Sequence, residues 1–389
     1  MRHAALALAA LISLAACSEQ AAEAPKADAA PPAGVATEAT KAANTALAER
    51  LPLNQPGDFE DADHGLLAQI QEDIVDENGK VVWAVHAQDF ITGAAPATVN
   101  PSLWRQQQLL AKHGLFEVKD GLYQVRGYDL AVMSVIRGET GWIIVDPLTA
   151  KETAAAALKL VNDTLGERPV SGVIYTHSHA DHFAGARGVI SEADIANGVP
   201  VLAPIGFTEN AIAENLLAGN YMSRRAILMF GGTLPNDATG QVGTGLGPAL
   251  SRGTAGFIPP TEEISGRGTQ RTIDGVKFEF IDAAGTEAPA EFMFYLPDFR
   301  ALCTAEVATA TFHNGLTLRG AKVRDFLEWS RVLDYVLVNY ADKSDLSFAS
   351  HHWPTFGTEN VQDYLRGQRR LPLYPRPDGT PGEPGADPV

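Results

Sequence analysis

Short apolar runs separated by turn residues mark the first half of the chain. The runs at 121–125, 130–136, 142–146 and 170–175 are rich in β-branched and aromatic residues, which predicts strands. Between the last two runs, residues 151–165 have the spacing of an amphipathic helix. A series of neighbouring strands that leads into a strand–helix–strand unit predicts a mixed α/β (α+β) domain.

The second half of the chain places further strands and helices around one long irregular segment. Residues 231–268 are rich in Gly, Pro and Thr and have little periodicity, so we expect a loop at the rim of a functional site. Strands are predicted at 272–273, 277–281, 292–296, 301–303 and 346–349, and helical segments at 59–72, 211–230 and 323–339. In the last helix the side chains predicted to face inward are Phe326, Leu327, Leu333 and Val336.

The ends of the chain differ in composition from the part between them. Residues 1–17 have a positive start and an apolar stretch too short to span a membrane, and they end in Leu14-Ala15-Ala16-Cys17, which is similar to a bacterial lipobox. This predicts a lipoprotein signal peptide with lipid on Cys17; a simple cleaved signal is the alternative. Residues 18–48 lack large apolar side chains and are predicted to be a disordered tether. The folded domain is predicted at 49–369, and a disordered Pro- and Gly-rich tail at 370–389.

These end segments and the charge restrict the partners and the location. A lipid on Cys17 predicts a periplasmic protein anchored to a membrane by lipid alone, and Ser18 favours the outer membrane. The formal net charge of −17 argues against nucleic acid or an anionic membrane surface as a partner. A small anion stays compatible, because a few arginines outweigh the global field within about 10 Å. The only other cysteine is Cys303, in a strand-like run, so no disulfide framework is expected.

The densest group of metal-binding side chains lies in segment 176–182. It contains His177, His179, Asp181 and His182, directly after a predicted strand and therefore at a strand end where open α/β sheets place their sites. In an extended segment His177 and His179 point the same way, whereas Asp181 and His182 fall in the following turn. This arrangement favours two metal ions over one. Imidazole with carboxylate suits Zn²⁺, with Mn²⁺ or Fe as alternatives.

The pattern His-x-His-x-Asp-His resembles the metal motif of the metallo-β-lactamase superfamily, whose fold is an αββα sandwich. Roughly from residue 55 to 368, further segments are similar to the alkylsulfatase branch of that superfamily. They are Gly-Thr-Glu-Ala-Pro-Ala-Glu at 285–291, Ala-Glu at 305–306, His-Asn-Gly-Leu-Thr-Leu-Arg-Gly-Ala at 313–321, Ser-His-His-Trp-Pro at 350–354, and the shorter matches at 100–104, 146–149 and 222–225. Glu287 stands where most of the superfamily has a His after a Gly-rich turn, so this resemblance is more specific than the His motif alone.

The resemblance implies a role for each of these polar side chains. It assigns His177, His179 and Glu287 to one Zn²⁺. It assigns Asp181, His182 and His351 to a second Zn²⁺, and Glu306 as the ligand that bridges the two ions. The implied sulfate contacts are Asn314, Thr317, Arg319 and Arg324. Asp146 would either orient a metal-binding His by a hydrogen bond, without binding metal itself, or cap the next helix. His352 would either support the metal ligands in the same indirect way or pack beside them. His313 would line the site without binding metal, and Arg224 and Arg225 would be either positional or substrate-facing.

The function that the resemblance implies is zinc-dependent hydrolysis of alkyl sulfate esters, such as dodecyl sulfate, to an alcohol and inorganic sulfate. Metal-bound water with a pKa near ~7 would supply the attacking hydroxide, and arginine would stabilise the sulfate. Attack at sulfur and attack at the ester carbon both stay open. The alternatives are a metal- and sulfate-binding lipoprotein with weak or no turnover, and another hydrolase of the superfamily, such as a lactamase.

Near residue 370 the chain departs from the family pattern. Full-length alkylsulfatases continue with a helical dimerisation domain and a sterol-carrier-like domain, whereas residues 371–389 here are rich in Pro and Gly. We hypothesise a frameshift or truncation near residue 370, with a natural short form as the alternative. Without the dimerisation domain, the family's dimer is not expected.

Overall fold

The structure is a computed structural model that describes residues 34–373. The predicted signal peptide with Cys17, and residues 374–389 of the predicted tail, lie outside this range. Within it the α-helices are α1 Glu38–Arg50, α2 Gly57–Asp63, α3 Pro101–Leu110, α4 Lys151–Leu165, α5 Glu192–Ala196, α6 Phe207–Ile212, α7 Gly219–Met229, α8 Phe326–Asn339 and α9 Thr358–Leu373. A π-helical turn, Ala213–Leu217, separates α6 from α7. No helix among these is both long and apolar enough to cross a bilayer.

The strands form two large sheets and one small one. They are β1 Leu66–Ala68, β2 Ile74–Val75, β3 Val81–Trp83, β4 Gly114–Lys119, β5 Leu122–Arg126, β6 Met133–Arg137, β7 Trp142–Val145, β8 Val170–Ile174, β9 Val201–Pro204, β10 Glu262–Ile264, β11 Arg267–Ile273, β12 Val276–Asp282, β13 Phe292–Leu296, β14 Ala301–Cys303, β15 Leu346–Phe348 and β16 Thr355–Phe356. The first sheet has the order β1-β4-β5-β6-β7-β8-β9-β10, the second β11-β12-β13-β14-β15-β16, and β2 pairs with β3 alone. Strands β7, β8 and β9 are parallel, as expected where α4 connects β7 to β8.

Alternating side chains on β7 show how the layers are built. Trp142 and Ile144 belong to the core between the first sheet and α4, whereas Ile143 and Val145 belong to the core between the two sheets. The second sheet supplies phenylalanines to that inter-sheet core, namely Phe278, Phe280, Phe292 and Phe294. Burying each ring contributes about 1.5–3 kcal/mol. On the far side of the second sheet, Met293 packs with residues of α8 and α9. The layers are therefore helix, sheet, sheet, helix, and the predicted αββα sandwich is confirmed.

Strand ends carry the polar residues of the predicted site. Asp146 directly follows β7, His177 follows β8 after two residues, and Glu306 and His351 follow β14 and β15. The backbone is strained here, because Asp146, Ala305 and His352 have φ of +55°, +49° and +71°. In the described residues only six non-glycine positions have positive φ, and Leu148 is a fourth that lies beside the site. Such strain is typical of functional sites.

The N-terminal boundary of the folded part differs from the sequence expectation. Residues 38–48, which were predicted to belong to a disordered tether, form most of helix α1. The Thr37 side chain caps this helix by accepting from the amide of Thr40, and Asn44 donates to the carbonyl oxygens of Ala97 and Val99 at 3.0 and 3.1 Å. Alanine and glutamate favour helices, so a segment without a core of its own still folds where it contacts a domain.

Three other element boundaries were also wrong. The predicted helix at 59–72 is the short α2 followed by β1, and Gly65 with φ of +71° turns the chain between them. Helix α8 begins at Phe326, after the cap Asp325, instead of at residue 323, and Leu327 is 52% exposed where an inward side chain was predicted. Helix α9 continues to Leu373, past the predicted start of the tail at residue 370.

Candidate metal centre

Seven buried donor side chains form two adjacent groups at the strand ends. The first group is His177, His179, Glu287 and Glu306, and the second is Asp181, His182 and His351. Within each group the donor atoms lie within 4.8 Å of one another. These are the seven residues that the family resemblance assigned to two metal ions. The structure brings all of them together, with the predicted bridge Glu306 in the first group.

Glu306 lies between the two groups. Its Oε2 is 3.0 Å from Nε2 of His177 in the first group, and 3.2 and 3.1 Å from Nε2 of His182 and His351 in the second. The other oxygen, Oε1, accepts a hydrogen bond from Nε2 of His313. One oxygen of Glu306 thus faces imidazoles of both donor groups, which is the position that the predicted bridging role requires.

Unpaired buried atoms test whether these residues fit a metal. Nε2 of His177, His182 and His351 and Oε2 of Glu287 are buried and have no hydrogen-bond partner among the described residues. Buried polar atoms normally have partners, and leaving one without a partner costs about 1–3 kcal/mol. Four such atoms that converge on one place, all of them good ligands for Zn²⁺, fit a metal centre.

The far nitrogens of the same imidazoles fix their orientation. Nδ1 of His177 lies 3.0 Å from Oγ1 of Thr176, Nδ1 of His182 lies 3.0 Å from Oδ2 of Asp146, and Nδ1 of His351 lies 3.0 Å from the carbonyl oxygen of Leu130. Each Nδ1–H thus has an acceptor, so in the neutral form of each ring Nε2 carries no proton and faces the centre. Such supporting contacts set the tautomer of metal-binding histidines.

Asp146 takes the role of an orienting carboxylate. It is 1% exposed and also accepts from the amide and hydroxyl of Thr176 at 2.8 and 2.7 Å and from the hydroxyl of Ser350 at 2.7 Å. Burial alone would raise the pKa of Asp146, but the charge and hydrogen bond of His182 hold it below the usual value. The alternative role as a helix cap does not apply, because the residue that caps α4 is Ala150.

Without metal, the buried carboxyl groups and imidazoles of the centre shift one another's pKa values. Burial opposes ionisation of Asp181 and Glu306, yet the neighbouring imidazoles keep the pKa of both carboxyl groups below the usual range. Burial likewise opposes protonation of His182, but Asp181 and Asp146 raise its pKa well above the ordinary value. Protons on imidazole thus supply positive charge that a metal ion supplies when bound.

A cavity of about 370 Å³ opens beside the donors. His179, Asp181, Glu287 and Glu306 form its floor. Three of the four predicted sulfate contacts, Asn314, Thr317 and Arg319, line one wall. Oγ1 of Thr317 is buried and has no hydrogen-bond partner in the described part of the chain, so it is available to a ligand. The opposite wall is largely apolar and is formed by Met222, Ala226, Met229, Phe230, Leu246 and Leu250.

Arg324, the fourth predicted sulfate contact, does not line this cavity. Its guanidinium is buried and donates to the carbonyl oxygen and the carboxylate of Glu287, to Nδ1 of His313 at 2.6 Å, and to Asn314. The prediction for Arg324 was therefore wrong in position, because its guanidinium is paired with Glu287, His313 and Asn314 and does not line the cavity. Since Nδ1 of His313 accepts from Arg324, the proton of His313 is on Nε2, where it is donated to Glu306. Arg324 and His313 thus hold Glu287 and Glu306 in place.

Three further predicted residues have clear positions. His352 packs beside the metal-binding side chains. Its Nε2 lies 2.8 Å from the carbonyl oxygen of Gly245 in the loop 231–268, so this contact holds the loop against the domain. Burial lowers the pKa of His352 to about 3. Arg224 and Arg225 are exposed on α7 and do not line the cavity, which favours the positional alternative for both.

Sequence reasoning missed several residues that support the centre. Glu291 is fully buried; one oxygen accepts from the amide of Glu306 at 3.1 Å and the other from Ala288 and Thr286. Burial, with Glu287 and Glu306 nearby, raises its pKa well above the usual value. Glu291 could have been found from sequence, because it lies in segment 285–291, which matches the alkylsulfatase family. Glu214 lies 3.5 Å from His179, and nothing in its helical sequence context indicated this.

Comparison with known proteins agrees with this geometry. A family model of the metallo-β-lactamase superfamily matches residues 126–329. The chain belongs to the metallo-β-lactamase superfamily. A linear primary-alkylsulfatase from Pseudomonas sp. is 48% identical over 341 residues, which cover 87% of this chain and 51% of the relative. An alkyl/aryl-sulfatase from Saccharomyces cerevisiae is 45% identical over 336 residues, which cover 86% of this chain and 52% of the relative.

A solved structure extends the comparison to three dimensions. The stereoselective inverting sec-alkylsulfatase Pisa1 from Pseudomonas sp. superposes with a TM-score of 0.84 at 42% identity, over 87% of this chain and 54% of that chain. The resemblance to alkylsulfatases is thus confirmed at the level of sequence and fold. The chain spans about half the length of the relatives that it matches.

Proposed function

We propose that this protein hydrolyses alkyl sulfate esters to an alcohol and inorganic sulfate at a centre of two zinc ions. The observation that carries the proposal is the convergence of seven donors beside a cavity that four of them line together with Asn314, Thr317 and Arg319. Homology to alkylsulfatases supports the choice of substrate class. A metal centre alone would fit many hydrolases, so the polar wall is what favours a tetrahedral oxyanion.

The donor set favours zinc. His177, His179 and Glu287 would hold one ion, Asp181, His182 and His351 the other, and Glu306 would bridge, which leaves room for water on each ion. When bound, such a pair of ions activates water as a nucleophile at neutral pH and acts as a Lewis acid. The residues around them keep the donors in their binding forms, because Asp146, Thr176 and the carbonyl of Leu130 hold the Nδ1 protons away from the centre.

The cavity walls would divide the substrate between them. Arg319 suits the sulfate because its guanidinium offers paired donors to two oxygens, and the unpaired hydroxyl of Thr317 supplies a neutral donor. The apolar wall around Met222, Met229 and Phe230 suits an alkyl group. An ester placed across the cavity would thus present its sulfate and its adjacent carbon to the donor floor.

Sulfate release and metal content, measured on the same preparation, test the proposal. We expect about two zinc ions per chain and release of sulfate from dodecyl sulfate. In Glu306→Ala we expect zinc content and sulfate release to fall, because the bridging carboxylate is lost. Glu167→Ala removes an exposed carboxylate outside the donor groups and should change neither zinc content nor sulfate release. Wild-type protein with two zinc ions and no sulfate release from short or long alkyl esters would contradict the substrate class. Wild-type protein without metal would contradict the centre itself.

Isotope labelling decides which bond is broken. Hydrolysis in ¹⁸O water places the label in the alcohol if the ester carbon is attacked and in the sulfate if sulfur is attacked. The label in the alcohol requires the alkyl carbon to face the donor floor, whereas the label in sulfate requires the sulfur to do so. Mass analysis of both products distinguishes the two.

We also propose that the protein is a periplasmic lipoprotein anchored through Cys17. The support is the lipobox-like end of residues 1–17, which lie outside the described part of the structure. Expression of the full chain in a Gram-negative bacterium should give a membrane-bound product with a lipid-modified N-terminal cysteine, as detected by mass spectrometry. Cys17→Ala should move the protein out of the membrane fraction; an unchanged distribution would contradict the anchor.

A further inference from the structure

The π-helical turn between α6 and α7 reverses the usual burial of its side chains. In this turn, Ala213–Leu217, the amide of Ala218 donates to the carbonyl of Ala213 at 3.0 Å, so one more residue is accommodated than in an α-helix. Glu214 is only 9% exposed, whereas Leu216 and Leu217 are 72% and 79% exposed. A turn that served folding alone would bury the leucines, each worth about 1.5–3 kcal/mol, and expose the carboxylate. Such turns often occur at functional sites.

The Glu214 carboxylate reaches the first donor group. Oε2 lies 3.5 Å from Nε2 of His179, and no Lys or Arg nitrogen in residues 34–373 lies within 4.0 Å of the carboxylate. Oε1 is buried without a hydrogen-bond partner among these residues. Because a buried carboxylate is costly unless a hydrogen-bond donor compensates it, the imidazole of His179 is its natural partner.

His179 differs from the other imidazoles in the way it faces the centre. Its Nδ1 lies 3.0 Å from Oε2 of Glu287 and belongs on the inside, so its Nε2 is the outward nitrogen. The other three imidazoles face the centre with Nε2, and their outward Nδ1 atoms have acceptors on Thr176, Asp146 and Leu130. Glu214 is the group that stands at the equivalent outward position of His179.

We propose that Glu214 is a positioning residue that accepts the Nε2–H of His179 and thereby holds Nδ1 of His179 toward the metal ion shared with His177 and Glu287. This inference rests on the proposed metal centre and deepens it. A carboxylate behind a histidine ligand fixes the tautomer and makes the ring a stronger ligand. The π-helical turn between α6 and α7 thus supplies this carboxylate to His179, a member of the first donor group.

Three variants separate this role from a purely structural one. Glu214→Leu keeps the size and removes the acceptor, Glu214→Gln removes the charge but keeps an oxygen that can accept, and Glu209→Gln removes an exposed carboxylate from α6 as a matched control. Cobalt(II) is titrated into each metal-free protein in competition with a chelator, and absorption reports the two binding steps. We expect Glu214→Leu to weaken one step about 10–100-fold and leave the other unchanged, Glu214→Gln to lose clearly less, and Glu209→Gln to match wild type.

A second measurement reads the hydrogen bond itself. In the cobalt-loaded protein, exchangeable imidazole N–H protons give strongly shifted NMR signals, and we expect Glu214→Leu to lose one of them through faster exchange with water. Wild-type affinity for both ions in Glu214→Leu would overturn the inference, as would equal losses in the Leu and Gln variants or a changed KM with unchanged cobalt binding. Each of these leaves the proposed centre intact, whereas failure of wild-type protein to bind cobalt would overturn the centre and this inference with it.

Discussion

Replacement of Asp146 by Asn tests whether the orientation of His182 keeps the second donor group able to bind metal. The Asp146 carboxylate is buried and accepts four hydrogen bonds, from the amide and hydroxyl of Thr176, the hydroxyl of Ser350 and Nδ1 of His182, at 2.7 to 3.0 Å. Asn has the same shape and tolerates the φ of +55° at this position. The exchange therefore removes one charge and one acceptor and creates no cavity.

The magnitude follows from these contacts. Whichever way the amide is oriented, its NH₂ faces an N–H donor, either the Thr176 amide or Nδ1 of His182. In the second case the ring is driven to the tautomer with its proton on Nε2, the nitrogen that faces the centre. Breaking a buried pair of this kind lowers the free energy of unfolding by about 3–5 kcal/mol, and loss of an orienting carboxylate weakens metal binding about 10–100-fold.

A second buried aspartate provides the control. Asp129 accepts only from backbone amides and the hydroxyls of Thr149, Thr153 and Ser251, and it touches no metal donor. Asp129→Asn should therefore lower the free energy of unfolding in urea without a selective loss of one metal ion. Zinc affinity is measured by chelator competition on both variants. Wild-type affinity for both ions in Asp146→Asn, or the same loss in both variants, would refute the reasoning about the tautomer.

Three further changes have expected outcomes. Removal of metal by a chelator should lower the free energy of unfolding by about 4 kcal/mol per ion relative to protein at a thousandfold excess over Kd, as measured by calorimetry with and without zinc. Burial holds the pKa of His352 at about 3, below the 6.5 of an ordinary histidine, so the stability from its neutral ring is full above pH 6.5 and is lost as the pH falls toward 3. Urea unfolding of the metal-free protein should show that the free energy of unfolding falls by about 3–5 kcal/mol across this pH range. In His352→Asn this pH-dependent loss should be smaller. Arg319→Gln should lower kcat/KM for an alkyl sulfate about 10–100-fold, because a charge-assisted hydrogen bond is lost, whereas Arg224→Gln, at an exposed position outside the cavity, should leave the rate unchanged in the same assay.

Apolar runs and helical spacing predicted the elements that pack against the cores. Strand β7 and helix α4 have the predicted bounds to within one residue, because the unbroken apolar run at 142–145 fits a strand buried on both faces and the spacing in 151–165 fits a helix with one buried face. The π-helical turn at Ala213–Leu217 could not be predicted in this way, since its buried position is a glutamate and its exposed positions are leucines. Helix α1 was missed because its residues bury little surface and depend on contacts of Asn44 with a distant loop.

The donor residues could be found from sequence because each lies in a short matching segment, and strand ends bring such segments together. The sequence could not predict which hydrogen-bond partner each buried charged side chain takes among its neighbours. The family resemblance implied that Arg324 contacts sulfate, but its guanidinium donates to the nearby Glu287 and His313. Glu214 reaches His179 from an element with no polar motif. Pairings of this kind depend on distances between elements that are far apart in sequence.

The same buried charges connect metal binding to folding. Four carboxyl groups of the centre have lowered pKa values, namely those of Asp146, Asp181, Glu287 and Glu306. Glu291, whose pKa is raised, is held neutral, and Arg324 is the guanidinium paired with them. These carboxylates outnumber the single guanidinium, and without metal the nearby groups that can offset the excess negative charge are protonated imidazoles. Protonation uses the nitrogens that must bind metal, so each ion that enters displaces protons and replaces their charge. Metal affinity should therefore rise with pH while the metal-free protein loses stability as His182 gives up its proton, so the two effects together favour the loaded fold increasingly as the pH rises.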